Sequence, residues 1–195
     1  MRWLSFVRAG RPTFGVASGD GVVDVGALAP EVADLKAAIA AGRLSELGAL
    51  AAGRPADLPL AGLDFLPVIP NPPKILCAGL NYRDHQAETG RGGEPYPTIF
   101  VRFAGAQVAH GKAMIRPRES ENLDFEGEIA LVIGKGGRRI AKADWLSHVA
   151  GFAPYNDGSV RDWQRHTSQF TPGKNFAATG GFGPWMMTPD EAGDP

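Results

Sequence analysis

The sequence predicts a β-rich α+β fold, because short strand patterns separated by turn residues outnumber helical patterns. The first such patterns are RWLSFVR, PTFGVAS and GVVDV, which Gly-Arg-Pro and Ser-Gly-Asp-Gly turns separate. Further strand patterns follow at KILCAGL, TIFVRF, AMIRP, DFEGEIALVIG and VAGFAPYND. The chain of 195 residues also contains 26 glycines and 16 prolines, a composition that favours strands and turns over a helical bundle.

Helical spacing predicts one helical region near the N-terminus and one short helix further on. Residues 31–53 are rich in alanine and leucine at helical spacing, with a break near Gly42. Residues 54–73 contain too many prolines for a regular element and predict an extended linker. We therefore expect a small N-terminal α+β unit with its linker over residues 1–70 and a main domain over residues 71–195. A short helix is expected within residues 158–167.

Composition excludes several classes of function. A formal net charge of -1 argues against nucleic acid or an anionic membrane surface as a partner. No apolar run is long enough to cross a bilayer, and the N-terminus lacks a secretory signal pattern. The single cysteine, Cys77, excludes an internal disulfide, and its apolar surroundings predict a core residue rather than a nucleophile. We expect a cytoplasmic protein.

Three acidic residues open an apolar strand pattern in LDFEGEIALVIGK, residues 123–135. Alternation places Asp124, Glu126 and Glu128 on one face of that strand and apolar residues on the other. Like charges on one stripe repel each other, so water or a cation must compensate. Asp157, at the end of another apolar strand, is a plausible third ligand beside Glu126 and Glu128, and all-oxygen ligands favour Mg²⁺, Mn²⁺ or Ca²⁺ over zinc. The alternative is a solvated edge of a sheet.

Two further pairs have helical spacing. His85 and Glu88 are three residues apart, so the carboxylate can orient the imidazole as a general base. Arg161 and Gln164 are likewise three apart, and Lys174 follows a Pro-Gly turn. Together these donors can stabilise an oxyanion or bind a substrate carboxylate. The alternatives are an incidental pair on an exposed helix and ordinary surface residues.

The same blocks occur together and in order, and together they resemble the fumarylacetoacetate hydrolase family. The resemblance rests on KILCAGLNYRDHQAETG, LDFEGEIALVIGK, YNDGSVRDWQ and PGKNF followed by GPWMMTPDE, and runs from about residue 74 to the end of the chain. It implies a mixed β-roll as the catalytic domain, a small N-terminal accessory domain and a homodimer. One departure is Gly158, where family members more often have an apolar residue such as valine.

The resemblance also implies a role for each matching residue. Glu126, Glu128 and Asp157 would hold a divalent ion, Mg²⁺ or Mn²⁺. His85 and Glu88 would activate water on a mobile lid. The residues expected to contact the oxo and carboxylate groups of the substrate are Tyr82, Arg161, Gln164 and Lys174, with Lys174 also counted as catalytic.

These roles predict a metal-dependent hydrolase that cleaves a carbon–carbon bond in acylpyruvate-like 1,3-dicarbonyl acids. The resemblance also admits oxaloacetate decarboxylation, 2-hydroxymuconate-type isomerisation and 2-keto-enoic acid hydration at the same site. Family members usually continue beyond the point at which this sequence ends, so we expect that the C-terminal part of the domain is missing. The alternative of another class is therefore a non-catalytic relative that binds a metal ion or a 2-oxo acid.

Overall fold

The computed structural model describes residues 1–84, 87 and 96–193. Within them ten strands form one mixed sheet, and four short strands form two separate pairs. The described helices are short and alternate with strands along the chain. The β-rich α+β fold class is confirmed.

The strands follow in chain order. They are β1 (Arg2–Arg8), β2 (Arg11–Ser18), β3 (Gly21–Asp24), β4 (Leu58–Pro59), β5 (Asp64–Phe65), β6 (Ile75–Gly79), β7 (Thr98–Arg102), β8 (Gln107–Ala109), β9 (Leu123–Asp124), β10 (Gly127–Ile133), β11 (Val149–Asp157), β12 (Ser159–Val160), β13 (Gly180–Phe182) and β14 (Met186–Met187). The α-helices are α1 (Val25–Leu28), α2 (Leu35–Ala40), α3 (Leu44–Ala51), α4 (Arg161–Gln164), α5 (Thr171–Lys174) and α6 (Pro189–Ala192). Two 3₁₀ helices span Ala104–Ala106 and Lys142–His148.

The strands of the large sheet run in the order β4, β3, β2, β1, β14, β11, β13 and β8, with β5 added to β1 and β10 added to β11. Only β13 and β8 pair in parallel among the described strands; the other ladders are antiparallel. β9 pairs with β12, and β6 pairs with β7. The ends of β7, β9 and β11 lie near one another, because Arg102 of β7 donates to Asp157 of β11, and Lys174 connects Asp157 to Glu126, which follows β9.

The N-terminal region folds as its strand and turn patterns predict. β1, β2 and β3 form an antiparallel meander, and α2 and α3 follow it. Asp34 caps α2 by accepting a hydrogen bond from the backbone N–H of Ala37. Gly42 ends this helix region at φ 67°, a conformation that costs glycine little. The predicted break near Gly42 is confirmed.

The N-terminal strands join the sheet of the remaining chain rather than forming a separate layer. Trp3 in β1 pairs with Met186 in β14, and both side chains are fully buried. Their common core also contains Ala153 and Tyr155 of β11. The boundary at residue 70 stays a prediction, and one hydrophobic core crosses it.

The acidic strand pattern departs from its predicted form in two ways. It is interrupted after Asp124, because Phe125 and Glu126 lie between β9 and β10 rather than in a ladder. The face that carries its large apolar residues is also turned to solvent, because Ile129 is 58% exposed and Ile133 is 61% exposed. The opposite face of β10, with its alanine and valine, packs against the core instead.

Two other predicted elements differ from the structure. AMIRP, residues 113–117, forms no strand, and its Ile115 N–H donates to the carbonyl of Ala178 in an isolated backbone bond. The helix expected within 158–167 is limited to α4, because Ser159 and Val160 pair with β9 as a strand. Among the described residues, no helix has the length and apolar character needed to cross a membrane.

Phe14 should contribute strongly to the stability of the common core. It is 1% exposed and stacks on Trp3 with 6.4 Å between ring centroids. We expect Phe14→Ala to lower the free energy of unfolding by about 3–5 kcal/mol, because it leaves a cavity. Phe103→Ala is the matched control, since Phe103 is 58% exposed, and its effect should stay within about 0.5 kcal/mol. Urea unfolding followed by circular dichroism measures both; equal losses would contradict this assignment of the core.

Candidate active site

A buried lysine lies at the centre of the predicted site. Lys174, at the end of α5, is 1% exposed, and its ammonium donates to Glu126 Oε2 at 2.7 Å and to Asp157 Oδ2 at 2.7 Å. Its Nζ also lies 5.0 Å from the centre of the Phe100 ring. The structure thus brings together one residue before β10, one at the end of β11 and one from α5.

The cations around Glu126 determine its protonation state. Burial alone would raise the pKa of Glu126, but the charges and hydrogen bonds of Lys174 and Arg161 outweigh burial and hold this pKa below its ordinary value. Glu126 therefore remains ionised at neutral pH. This pairing compensates part of the repulsion expected from the acidic stripe.

Arg161 joins the two carboxylates at the start of the acidic pattern. Its Nε and one terminal nitrogen donate to Asp124 Oδ2 at 2.9 and 2.7 Å. Its other terminal nitrogen donates to Glu126 Oε1 and, at 3.0 Å, to Gln164 Oε1. The hydrogen bonds from Arg161 lower the pKa of Asp124, an acid for which no ligand role is predicted. Arg161 and Gln164 are neighbours as their spacing predicts.

Glu128 has a different environment from Glu126. Burial raises its pKa, a hydrogen bond with Tyr82 opposes that rise, and the charges of Glu126 and Asp157 add to it. Tyr82, predicted as a substrate contact, is 47% exposed. The structure therefore places Glu128 close enough to Glu126 and Asp157 for their charges to affect it, and beside the half-exposed phenol of Tyr82.

Arg102 belongs to the site although no sequence pattern indicated it. Its side chain is fully buried at the end of β7 and donates to Asp157 Oδ1 and, at 3.0 Å, to the carbonyl oxygen of Gly158. It also donates to the hydroxyl of Thr179 at 3.0 Å and lies over the Tyr155 ring. The one feature of the sequence that could have indicated Arg102 is its place in the apolar strand pattern TIFVRF, because a charge buried in such a strand requires a partner.

Two glycines allow the close backbone approaches that the site requires. A Cβ on Gly173 would lie 2.4 Å from the backbone nitrogen of Gln164, so α5 could not lie against α4. A Cβ on Gly158 would lie 2.3 Å from the carbonyl oxygen of Thr179. The glycine that replaces the more usual apolar residue after Asp157 is therefore a steric requirement of this chain.

The acidic side chains have the chemistry of a site for a hard divalent cation. Glu126, Glu128 and Asp157 offer only carboxylate oxygens. Among the described residues, no three acidic, histidine or cysteine side chains converge on one point as ligands of an ion. Instead, the Lys174 ammonium donates to Glu126 and Asp157. The donor set fits such an ion, and each bonded oxygen keeps a second lone pair for it.

The predicted water-activating pair cannot be compared with this geometry. His85 and Glu88 lie outside the described residues. Their roles stay predictions.

The fold and the site define a β-rich protein with carboxylates and buried cations gathered at strand ends. The family model for the C-terminal domain of fumarylacetoacetate (FAA) hydrolase matches residues 74–195. The chain belongs to this family. The predicted family and its mixed β-roll are confirmed.

Individual relatives have related activities. The mitochondrial oxaloacetate tautomerase FAHD2A of Bos taurus is 37% identical over 192 residues, which cover 94% of this chain and 61% of that protein. The chain thus spans less than two thirds of that curated relative. The fumarylacetoacetate hydrolase of Exiguobacterium antarcticum is 27% identical, with a TM-score of 0.77 over 100% of this chain and 69% of its own. The maleylpyruvate hydrolase of Sphingobium sp. SYK-6, solved with manganese(II) and pyruvate, is 26% identical, with a TM-score of 0.78 over 100% and 70%.

Cys77 should react slowly with thiol reagents in the native state. Burial raises the pKa of its thiol to about 12, and the charge of Asp157 adds to the rise. Since only the thiolate reacts, we expect modification by Ellman's reagent at about pH 8 to be about three orders of magnitude slower than for an exposed thiol. Absorbance of the released thiol measures the rate, and the same protein in urea is the control. Native modification within about tenfold of the unfolded rate would contradict the prediction.

Removal of the Lys174 ammonium should destabilise the chain. Lys174→Gln leaves Glu126 and Asp157 facing each other without this cation, so we expect a loss of about 3–5 kcal/mol in the free energy of unfolding. Lys112→Gln is the matched control, because Lys112 pairs with Asp64 at 2.8 Å but is 56% exposed; its loss should be below about 1 kcal/mol. Urea titrations of both variants test the difference, and equal losses would show that the buried position adds nothing.

Proposed function

We propose that this chain forms the active site of a divalent-metal-dependent enzyme that acts on enolisable 2-oxo acids. The observation that carries the proposal is the buried ammonium of Lys174, held against the carboxylates of Glu126 and Asp157 beside Glu128. Such a concentration of buried charges is expensive for stability and is common at functional sites. The relatives that act on oxaloacetate and maleylpyruvate support the same class of substrate.

Glu126, Glu128 and Asp157 would hold the metal ion, and the manganese in the Sphingobium neighbour supports a divalent ion. When bound, the ion would supply Lewis-acid stabilisation of the charge that develops on the 2-oxo group. The four carboxylates Asp124, Glu126, Glu128 and Asp157 face three cationic side chains, those of Arg102, Arg161 and Lys174. A divalent ion would therefore change a net negative site into a net positive one, which favours an anionic substrate.

The cationic side chains suit an enolate. An ammonium has three N–H groups, and Lys174 uses two of them on carboxylates, so one remains for a substrate oxygen. Arg161 is fixed by Asp124 and Glu126 and does not need to reorganise as charge develops. Gln164 accepts from Arg161 through its oxygen, which leaves its NH₂ group for the substrate. Such preorganised donors stabilise an oxyanion.

The reaction that we favour is the keto–enol tautomerisation of oxaloacetate. The enol loses its hydroxyl proton, C3 gains a proton, and the molecule keeps its formula. This reaction needs stabilisation of an enolate but no attacking water. The 37% identity to the Bos taurus oxaloacetate tautomerase favours it over the other reactions of the same enolate.

Hydrolysis of an acylpyruvate, predicted from the sequence, is the second candidate. Its substrate would bind through the same 2-oxo acid group, but water is added across a carbon–carbon bond, and pyruvate and the carboxylic acid of the acyl group are released. His85 and Glu88 would activate that water. The maleylpyruvate hydrolase solved with pyruvate supports this candidate.

One assay separates these reactions. Purified chain is mixed with enol-oxaloacetate or with a simple acylpyruvate, with Mn²⁺ or with EDTA, while enol absorbance and released pyruvate are followed. We expect metal-dependent loss of the oxaloacetate enol without pyruvate. Pyruvate from the acylpyruvate would instead establish the hydrolase, and pyruvate from oxaloacetate at a rate above that with Mn²⁺ alone would establish a decarboxylase. No reaction with either substrate would favour a non-catalytic binding protein.

Glu128→Gln tests the metal site without removing a partner of Lys174. Because the amide is a weaker ligand than the carboxylate, we expect turnover to fall by at least about a hundredfold and Mn²⁺ affinity to fall as well. Glu121→Gln is the control, since Glu121 is an exposed acid just before the same pattern. Turnover and isothermal titration of Mn²⁺ measure the effects, and unchanged values in Glu128→Gln would remove Glu128 from the ligand set.

A further inference from the structure

Arg102 makes the only described side-chain contact to Asp157 Oδ1, while Oδ2 accepts from Lys174. The two oxygens of this carboxylate therefore face different cations. Because Arg102 is fully buried and Lys174 lies toward Glu126, the carboxylate cannot turn about its axis without loss of a buried ion pair. Asp157 is consequently held with Oδ2 toward Lys174 and Glu126.

The rest of the Arg102 side chain is fixed by groups that do not belong to the acidic cluster. Its guanidinium donates to the carbonyl of Gly158 and to the hydroxyl of Thr179, both at 3.0 Å. A Cβ on Gly180 would lie 2.8 Å from an Arg102 nitrogen, so the strand backbone also confines the group. Arg102 is thus held by β13 and by the turn after β11.

Arg102 also connects two sheets. It ends β7, which pairs only with β6 among the described strands, and it contacts residues at the ends of β11 and β13 in the large sheet. The position of Asp157 relative to Glu126 therefore depends on this one side chain as well as on the backbone.

We propose that Arg102 is a positioning residue that holds Asp157 as a one-oxygen ligand for the divalent ion, with Oδ2 presented and Oδ1 withheld. The proposal rests on the proposed function, because it gives Arg102 a role only if Asp157 holds a metal ion. In this role Arg102 would touch neither ion nor substrate. A side chain that orients a ligand commonly changes metal affinity or activity by about 10–100-fold when it is removed.

The sign of the change in affinity separates positioning from simple charge. The guanidinium is a permanent positive charge beside the site, so its removal would strengthen Mn²⁺ binding if charge alone mattered. If Arg102 instead orients Asp157, its removal frees the carboxylate to rotate, and Mn²⁺ must order it again on binding. That cost weakens binding.

The experiment measures Mn²⁺ binding to the whole chain by electron paramagnetic resonance, without substrate. We expect Arg102→Met to weaken Mn²⁺ binding by about 10–100-fold with the stoichiometry preserved, and kcat to fall more than KM changes. Arg102→Lys should recover part of the affinity, because it retains the pair to Asp157 but loses the fork that also reaches Thr179. Arg8→Met is the matched control, since Arg8 pairs with Asp24 at 2.9 Å in the N-terminal meander, away from the site.

Three results for the variants, besides unchanged binding in Arg102→Met, would overturn the proposal. They are tighter Mn²⁺ binding in Arg102→Met, unchanged affinity with a reduced fraction of binding-competent protein, and an equal loss in Arg8→Met. The second would mean that Arg102 only supports folding. If the unsubstituted chain bound no Mn²⁺, the proposed function would fail together with this inference; if it bound Mn²⁺ and Arg102→Met matched it, only the inference would fail.

Discussion

The pairing of Asp157 with Arg102 and Lys174 is the interaction on which the arrangement of the site depends. All three side chains are almost fully buried, with exposed fractions of 4%, 0% and 1%. A buried charge without a partner would cost several kcal/mol, so each of the three requires the others. Because they come from β11, β7 and α5, their mutual requirement also fixes how these elements meet. The packing of these elements and the geometry of the site therefore depend on the same three side chains.

Local patterns were sufficient for most of the fold. Alternating apolar residues and turn glycines located the N-terminal meander, and the break near Gly42 separated two helices as expected. Patterns that depend on a distant partner were less informative. AMIRP has strand composition, yet its segment makes no ladder, since strand formation requires an available edge as well as suitable residues. Alternation in residues 127–133 likewise identified two faces but not which one faces the core.

In the candidate site, contacts between residues close in sequence could likewise be predicted, and contacts between residues far apart in sequence could not. Glu126 and Glu128 are two residues apart and Arg161 and Gln164 are three apart, so their grouping could be predicted from spacing and resemblance. Arg102 is 55 residues from Asp157, and no local pattern connects them. Asp124 also acquires its partner, Arg161, only through the pairing of β9 with β12. Such contacts follow from topology, which the sequence implies only as a whole.

The buried ammonium of Lys174 bears on whether folding of the proposed metal site would need its ion. Small metal domains commonly fold only when their ion arrives, because the free energy of ion binding supplies the free energy of folding. Here Glu126 and Asp157 already share a cation that is part of the chain. If the proposed ion binds at this site, folding of the region would not depend on the supply of that ion. Newly made protein would then reach its native packing first and take up the ion afterwards, so scarcity of the ion would leave an intact protein rather than an unfolded one.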